Sequence, residues 1–146
     1  MLMLILLPPS EAKTTPESGP TLQFNDLLFP ELSGERRTIV QELQVVSSLA
    51  GAHEILRVGK SLKDEIAANQ HILENPTAPA WQVYTGVLYD ALDYSTLETV
   101  DDDITLVFSA LFGVTRLSDH IPAYRFPATA KLPGIGNIGT WWRERL

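Results

Sequence analysis

The sequence predicts an α/β fold of mixed α+β character, in which a mixed sheet is flanked by helices, and three observations carry that prediction. Residues 2–7 are an unbroken aliphatic run, the pattern of a strand covered on both faces, and Pro8-Pro9 ends it. Ile104 to Phe108 is a second β-branched and aromatic run that reads as a buried strand. Between them, Ile39, Leu43, Val46 and Leu49 recur every three to four residues from Glu35 onward, which is helical spacing.

The remaining elements follow in order. Ser10 to Pro30 is rich in Ser, Thr, Pro and Gly and reads as a long irregular surface connection, a kind of loop that is commonly functional or mobile. Ser33 stands where an N-cap is expected for the helix from Glu35. After Gly51 a short helix, Ala52 to Val58, leads to Gly59-Lys60. Ser61, with Asp64 three residues on, resembles a capping box opening a helix to about Leu73, with Leu62, Ile66, Ile72 and Leu73 as its stripe. Asn75-Pro76 through Pro79 reads as a linker. Trp81 to Leu92 reads as a strand-like entry into a helix, broken near its start at Tyr84-Thr85-Gly86. The acidic triplet Asp101-Asp102-Asp103 reads as a solvated approach to the second strand. Residues 113–140 alternate turns and short extended pieces, and Trp141 to Leu146 begins a helix that stops within about two turns, too short to nucleate alone. The expectation is a single domain, residues 1–146, that is a truncated piece of a longer fold and leaves apolar surface around Trp141 and Trp142 uncovered.

Composition removes several classes of function. The 146 residues contain no cysteine, so disulfides, thiolate metal sites, iron–sulfur clusters and a cysteine nucleophile are excluded. The absence fits a cytoplasmic home. No apolar run approaches the roughly 18 residues of a membrane span. Met1 to Leu7 has no basic flank or small-residue cleavage site of the secretory kind. A net charge of −7, spread over both halves, opposes long-range attraction to polyanions, so any nucleic-acid contact has to rest on a local patch.

Three constellations stand out. Arg57-Val58-Gly59-Lys60-Ser61-Leu62-Lys63 offers a glycine, three cations and a helix start, which together suit phosphate oxygens. The alternative is an ordinary inter-helix turn with solvated cations. Ser10, Glu11 and Lys13 follow the first strand directly, and loops beyond strand ends are where open α/β sheets place ligands. Arg116 and Asp119 share a turn-like spacing near Tyr124-Arg125. Two arginines suit bidentate grip on phosphate or carboxylate, while the alternative is an Arg–Asp pair that pins a loop. Tyr84 is either a hydroxyl donor to the same site or a half-buried tyrosine with one hydrogen bond. His53, His71 and His120 show no metal-ligand spacing, the aspartate triplet lacks a calcium-loop register, and Gly134-Ile135-Gly136 is no dinucleotide fingerprint, so no metal or cofactor is expected.

Three segments, taken together, carry a family resemblance. Pro8-Pro9-Ser10-Glu11-Ala12-Lys13-Thr14 after the opening strand, Tyr84-Thr85-Gly86, and Ser109 to Asp119 with Pro122-Ala123-Tyr124-Arg125 are similar, in this order, to motifs of the YaaA (DUF328, UPF0246) family of bacterial peroxide-stress proteins. Phe112, Ala110 and Phe126-Pro127 depart from the family pattern. The resemblance implies a mixed α/β fold with a basic cleft and a helix-hairpin-helix-like element, cytoplasmic location, binding to double-stranded DNA, and a part in limiting free iron during peroxide stress. The candidate binding residues are therefore Ser10, Lys13, Arg57, Gly59, Lys60, Lys63, Tyr84, Gly86, Arg116, Asp119, Tyr124 and Arg125. The alternative to DNA is a small phosphorylated or anionic ligand at Lys13, Tyr84, Arg116 and Arg125.

Overall fold

A computed structural model describes residues 4–92 and 105–146. Its first strand, β1 (Ile5–Leu7), is followed by a segment containing a 3-10 turn at Phe24–Asp26 and then by α1 (Ser33–Ser47), α2 (Ala52–Ile55) and α3 (Lys63–Ala68). Next come β2 (Ala78–Pro79), α4 (Ala80–Val83) and α5 (Val87–Leu92). The chain resumes with β3 (Thr105–Ser109), β4 (Gly113–Arg116), β5 (His120–Ile121), β6 (Lys131–Leu132), β7 (Gly136–Asn137) and α6 (Ile138–Arg143).

The main sheet has the order β1-β3-β4. β1 pairs in parallel with β3, Ile5 opposite Thr105, and β3 pairs antiparallel with β4, Ser109 opposite Gly113. The sheet is therefore mixed, and helices flank it. Its inner face, with Val107, Ser109 and Thr115, is closed off by a core that includes Ile39 and Leu43 of α1 together with Leu56, Leu111, Phe112 and Trp142. Covering of β1 on both faces does not hold: Leu4 and Leu6 are exposed beside a groove shared with Leu106, Phe108 and Val114. The aspartate triplet and Ile104 lie outside the described residues.

Several local expectations change, each for a visible reason. Ser33 is no N-cap. A 3-10 turn from Pro30 runs straight into α1, and the Ser33 hydroxyl bonds Pro30 O at 2.6 Å and Asn25 Oδ1 at 3.1 Å. α1 ends before Leu49, which is exposed. α2 stops at Ile55 because Arg57 turns left-handed, φ 57°, so that its N–H reaches Glu54 O at 3.2 Å and that of Val58 reaches His53 O at 3.0 Å. These two bonds close a Schellman motif with arginine at the position that usually takes glycine. The capping box at Ser61 does not form, since a 3-10 turn, Lys60–Leu62, precedes α3 without a side-chain cap. α3 in turn ends at Ala68 because Asn69 is buried and spends its amide on tertiary bonds.

The long segment from Ser10 is not wholly a surface loop, for Leu22, Phe24 and Leu27 enter the core. The linker ending at Pro79 contributes β2, which pairs with β5. Trp81 lies in a helical turn, and the extended residue is Tyr84 at its end. α6 begins at Ile138, capped by Asn137 Oδ1 on Thr140 N at 2.9 Å, and Trp142 is fully buried with its indole N–H on Ala110 O at 2.8 Å. The uncovered apolar surface is thus at β1, not at Trp142. Among the described residues no helix is long and apolar enough to cross a membrane.

Candidate functional site

Pro8 and Pro9 end β1 and send the chain alongside the end of α4. There Lys13 and Tyr84 form an isolated antiparallel bridge, Thr14 N donates to Val83 O at 2.8 Å, and Thr85 N donates to Ala12 O at 3.1 Å. The Ser10 hydroxyl adds a bond to Thr85 O. Gly86 follows at φ 111°, a conformation that side chains resist, with Ser10 Oγ 3.3 Å from where a Cβ would stand. Two motifs that lie far apart in sequence are thereby stitched into one short ribbon.

That ribbon aims Lys13 at a buried tyrosine cluster. Tyr84 and Tyr124 share a hydroxyl–hydroxyl hydrogen bond of 2.8 Å, their rings meet edge to face at 6.4 Å, and Phe112 packs on Tyr124 at 5.6 Å. Tyr89 lies 5.5 Å from Tyr84 and donates to Pro8 O at 2.6 Å. Burial holds the Tyr84 phenol well above its ordinary pKa and pushes Tyr124 up to about 12, so both stay protonated at neutral pH. The Lys13 ammonium sits 4.3 Å from the Tyr124 ring centroid and 5.6 Å from that of Tyr84, and donates to Ser10 O at 2.6 Å and Glu11 O at 3.3 Å. Desolvation, and next the charge of Arg125, lower its pKa to about 8, against the opposing pull of Glu11 and Glu65.

Arg125 completes the group. Its guanidinium reaches Glu11 Oε2 at 3.1 Å through Nη1 and both carboxylate oxygens of Glu65 at 3.1 and 3.0 Å through Nη2, while its buried Nε makes no hydrogen bond. Asn69 clamps the same residue's backbone, accepting from Arg125 N and donating to Arg125 O, both at 2.9 Å. A small pocket of about 50 Å³ is lined by Lys13, Arg125, Tyr124, Thr15, Glu11 and Glu65.

Ser10, Lys13, Tyr84, Gly86, Tyr124 and Arg125 are thus brought together. Arg116 and Asp119 are not among the residues of this pocket. Asp119 is buried in the turn after β4, where Oδ2 accepts from Arg116 N at 2.9 Å and Leu28 N at 3.0 Å, and Oδ1 lies 3.5 Å from Arg116 Nη1. It pins the segment before α1, and His120 beside it is exposed on β5. Arg57, Gly59, Lys60 and Lys63 form a separate exposed turn between α2 and α3, and no ion pair engages these cations among the described residues. The two regions are neighbours, because Glu65, held by Arg125, is two residues beyond Lys63. Among the described residues no group of three or more histidines and acids is placed to hold a metal.

Sequence reasoning placed Glu11 in the loop beyond the first strand without naming it a binding residue, and it passed over Glu65, Asn69 and Arg36 altogether. Arg36 is fully buried and donates to the carbonyls of Phe112, Phe29, Leu28 and Val114 at 2.6 to 3.1 Å. Its setting, Glu35-Arg36-Arg37, reads as a solvated first turn, so nothing in the pattern marks it.

Comparison with known proteins identifies the family. A family model described as "Peroxide stress protein YaaA" matches residues 3–146. The chain belongs to the YaaA family. A UPF0246 protein of Streptomyces coelicolor is 41% identical over 152 residues, which cover 99% of this chain and 58% of that protein. A UPF0246 protein of Corynebacterium efficiens is 45% identical, covering 90% of this chain and 54% of its own length, and an uncharacterized protein of Campylobacter jejuni is 33% identical over 93% and 56%. The chain therefore spans little more than half the length of these relatives.

Proposed function

We propose that this YaaA chain serves a cytoplasmic peroxide-stress response by binding double-stranded DNA, with the turn from Arg57 to Lys63 laid against the phosphate backbone as a helix-hairpin-helix-like element. One observation carries the reading: Arg57, Lys60 and Lys63 are exposed around Gly59 and, among the described residues, unengaged by carboxylates, while Arg116 and Arg125 are paired. The Schellman bonds at Arg57 and Val58 fix this turn, so the cations are presented without a large ordering cost. On a body of net charge −7 such a patch acts only at close range, and its affinity falls steeply with salt. The effect on free iron is, in this reading, downstream of DNA binding. The test is anisotropy with a labelled duplex over a salt series. The Arg57→Ala/Lys60→Ala/Lys63→Ala chain should lose affinity, and its log–log salt slope should become shallower by about two to three. An unchanged slope would refute the turn as the contact.

A second reading is favoured by the convergence of Lys13, Tyr84, Tyr124 and Arg125: an enzyme or sensor for a small phosphorylated or anionic ligand, with Arg116 left out of the grip. A thermal-shift panel of nucleotides and sugar phosphates tests it, a stabilising ligand lost in Lys13→Met being the expected result and a blank panel the contrary one.

A further inference from the structure

We propose that Lys13 and Arg125 form a receptor for one phosphoryl group, and that the carboxylates of Glu11 and Glu65 hold its place in the free protein. The inference rests on the pocket of the second reading and names its ligand chemistry and its internal competitor.

The backbone that carries the guanidinium is held independently of its carboxylate partners. Asn69 holds Arg125 at both backbone polar atoms, and the side chain is only 11% exposed. The partners are the opposite case. Glu11 and Glu65 are 68% and 47% exposed, come from segments 114 and 60 residues away from Arg125, and reach inward on long side chains. Ion pairs with such exposed carboxylates contribute little and cost rotamer freedom, so displacing them is cheap. Together they offer Arg125 three oxygens, Glu11 Oε2 and both oxygens of Glu65, which is the number a phosphoryl group presents.

Lys13 supplies what the glutamates do not satisfy. Its ammonium has three donors, yet its recorded hydrogen bonds go to two carbonyl oxygens, and among the described residues it forms no ion pair. The fold thus places a second cation in the same small pocket as Arg125, where the two like charges repel. An anion bridging both relieves that repulsion. A dianionic phosphoryl group gains from both cations, whereas a monocarboxylate merely exchanges with the glutamates already present. The pocket of about 50 Å³ admits a few heavy atoms and leaves the remainder of a larger ligand outside, toward the exposed Glu11 and Glu65.

Phosphoryl groups come as phosphomonoesters or as the backbone of nucleic acid, and the experiment separates these sources. Inorganic phosphate and a short duplex are each titrated into the chain, into Glu11→Gln/Glu65→Gln and into Lys13→Met, with acetate as a carboxylate control. The expected result is that phosphate binds the wild-type chain, binds Glu11→Gln/Glu65→Gln about tenfold more tightly, and binds Lys13→Met at least about tenfold more weakly, with acetate showing no such order. A rise in duplex affinity with no response to phosphate refutes a receptor for a dianionic, three-oxygen phosphoryl group, because a backbone phosphodiester offers one charge and two free oxygens and binds more tightly to any chain that has lost two carboxylates. A gain for phosphate that acetate does not share comes neither from misfolding nor from the loss of two negative charges, so the glutamine variant decides even if Lys13→Met is unstable. Phosphate binding with equal affinity in the wild-type and glutamine chains keeps the pocket and refutes the place-holding carboxylates. No response of either chain to phosphate or duplex refutes the pocket itself.

Discussion

Raising the pH from about 7 to about 9.5 should make the folded chain more stable, and Lys13 is the reason. Its ammonium is held at a pKa of about 8 by desolvation and the charge of Arg125, against 10.5 for an ordinary lysine. In this interval the unfolded chain binds the proton that the folded chain has released, so stability rises with pH instead of falling. Linkage over that window gives about 2 kcal/mol for a fully desolvated amine, and about 1 kcal/mol once solvent screening at a partly open pocket is allowed for. The buried tyrosines do not cancel the effect. Their phenols are shifted upward, so the stability they contribute is present below the ordinary value of 10 and is lost only above it. The assay compares urea midpoints of the wild-type chain and Lys13→Met at both pH values in phosphate-free buffer, so that every other titration is common to both. Wild type should gain on the variant as pH rises. Parallel midpoints, or a wild type that loses ground, would show that Glu11, Glu65 and the aromatic rings compensate the ammonium fully, and would refute the depressed pKa of Lys13.

Other substitutions probe the frame around the site. Arg57→Gly should stabilise the chain by about 0.5 kcal/mol, because glycine takes the left-handed φ of 57° without strain, yet weaken duplex binding by removing a cation; thermal melts and anisotropy read the two effects separately. Asn69→Ala leaves Arg125 N and O and the Ser47 hydroxyl without their partner and should cost about 2 to 4 kcal/mol, read as a lowered urea midpoint. Gly113→Ala places a Cβ 2.9 Å from Trp142 Cζ3 at a backbone φ of 72°, so a loss of about 2 to 4 kcal/mol and a changed tryptophan emission are expected. Wild-type emission and stability in that variant would mean that the buried indole has room to move.

Long elements with a period were legible, and short or long-range ones were not. α1 and β3 announced themselves through apolar recurrence and a β-branched run. β2 and β5 are two residues each, below any period: β2 hides in a stretch whose prolines read as linker, and β5 is one of the short extended pieces read in residues 113–140, foreseen in kind but not in place. Ser33 and Ser61 matched capping patterns, but a cap is decided by the dihedral angles that precede it, and in both places a 3-10 turn leads in. β1 matched a doubly covered strand in composition while only one face is packed, because a run of leucines reports what a strand can bury and not what lies against it.

The site divides along the same line. Arg116 and Asp119, three residues apart, read either as a ligand grip or as a pair that pins a loop, and the structure shows the second: a buried carboxylate that accepts two backbone N–H groups is already spent on holding Leu28 and Arg116. Lys13 and Arg125 are more than a hundred residues apart and meet only because the ribbon beside Tyr84 and the clamp of Asn69 deliver them to one place. That carboxylates stand against them was invisible for a simpler reason. Glu11 and Glu65 each look like one of many acids on a chain of net charge −7, and only the guanidinium between them turns solubilising charge into an occupant. An acidic protein that keeps two cations at the foot of its first strand, covered by its own exposed carboxylates, resists nonspecific polyanions by the same interaction that a phosphoryl ligand has to displace, so affinity and selectivity at this pocket are set by a single exchange.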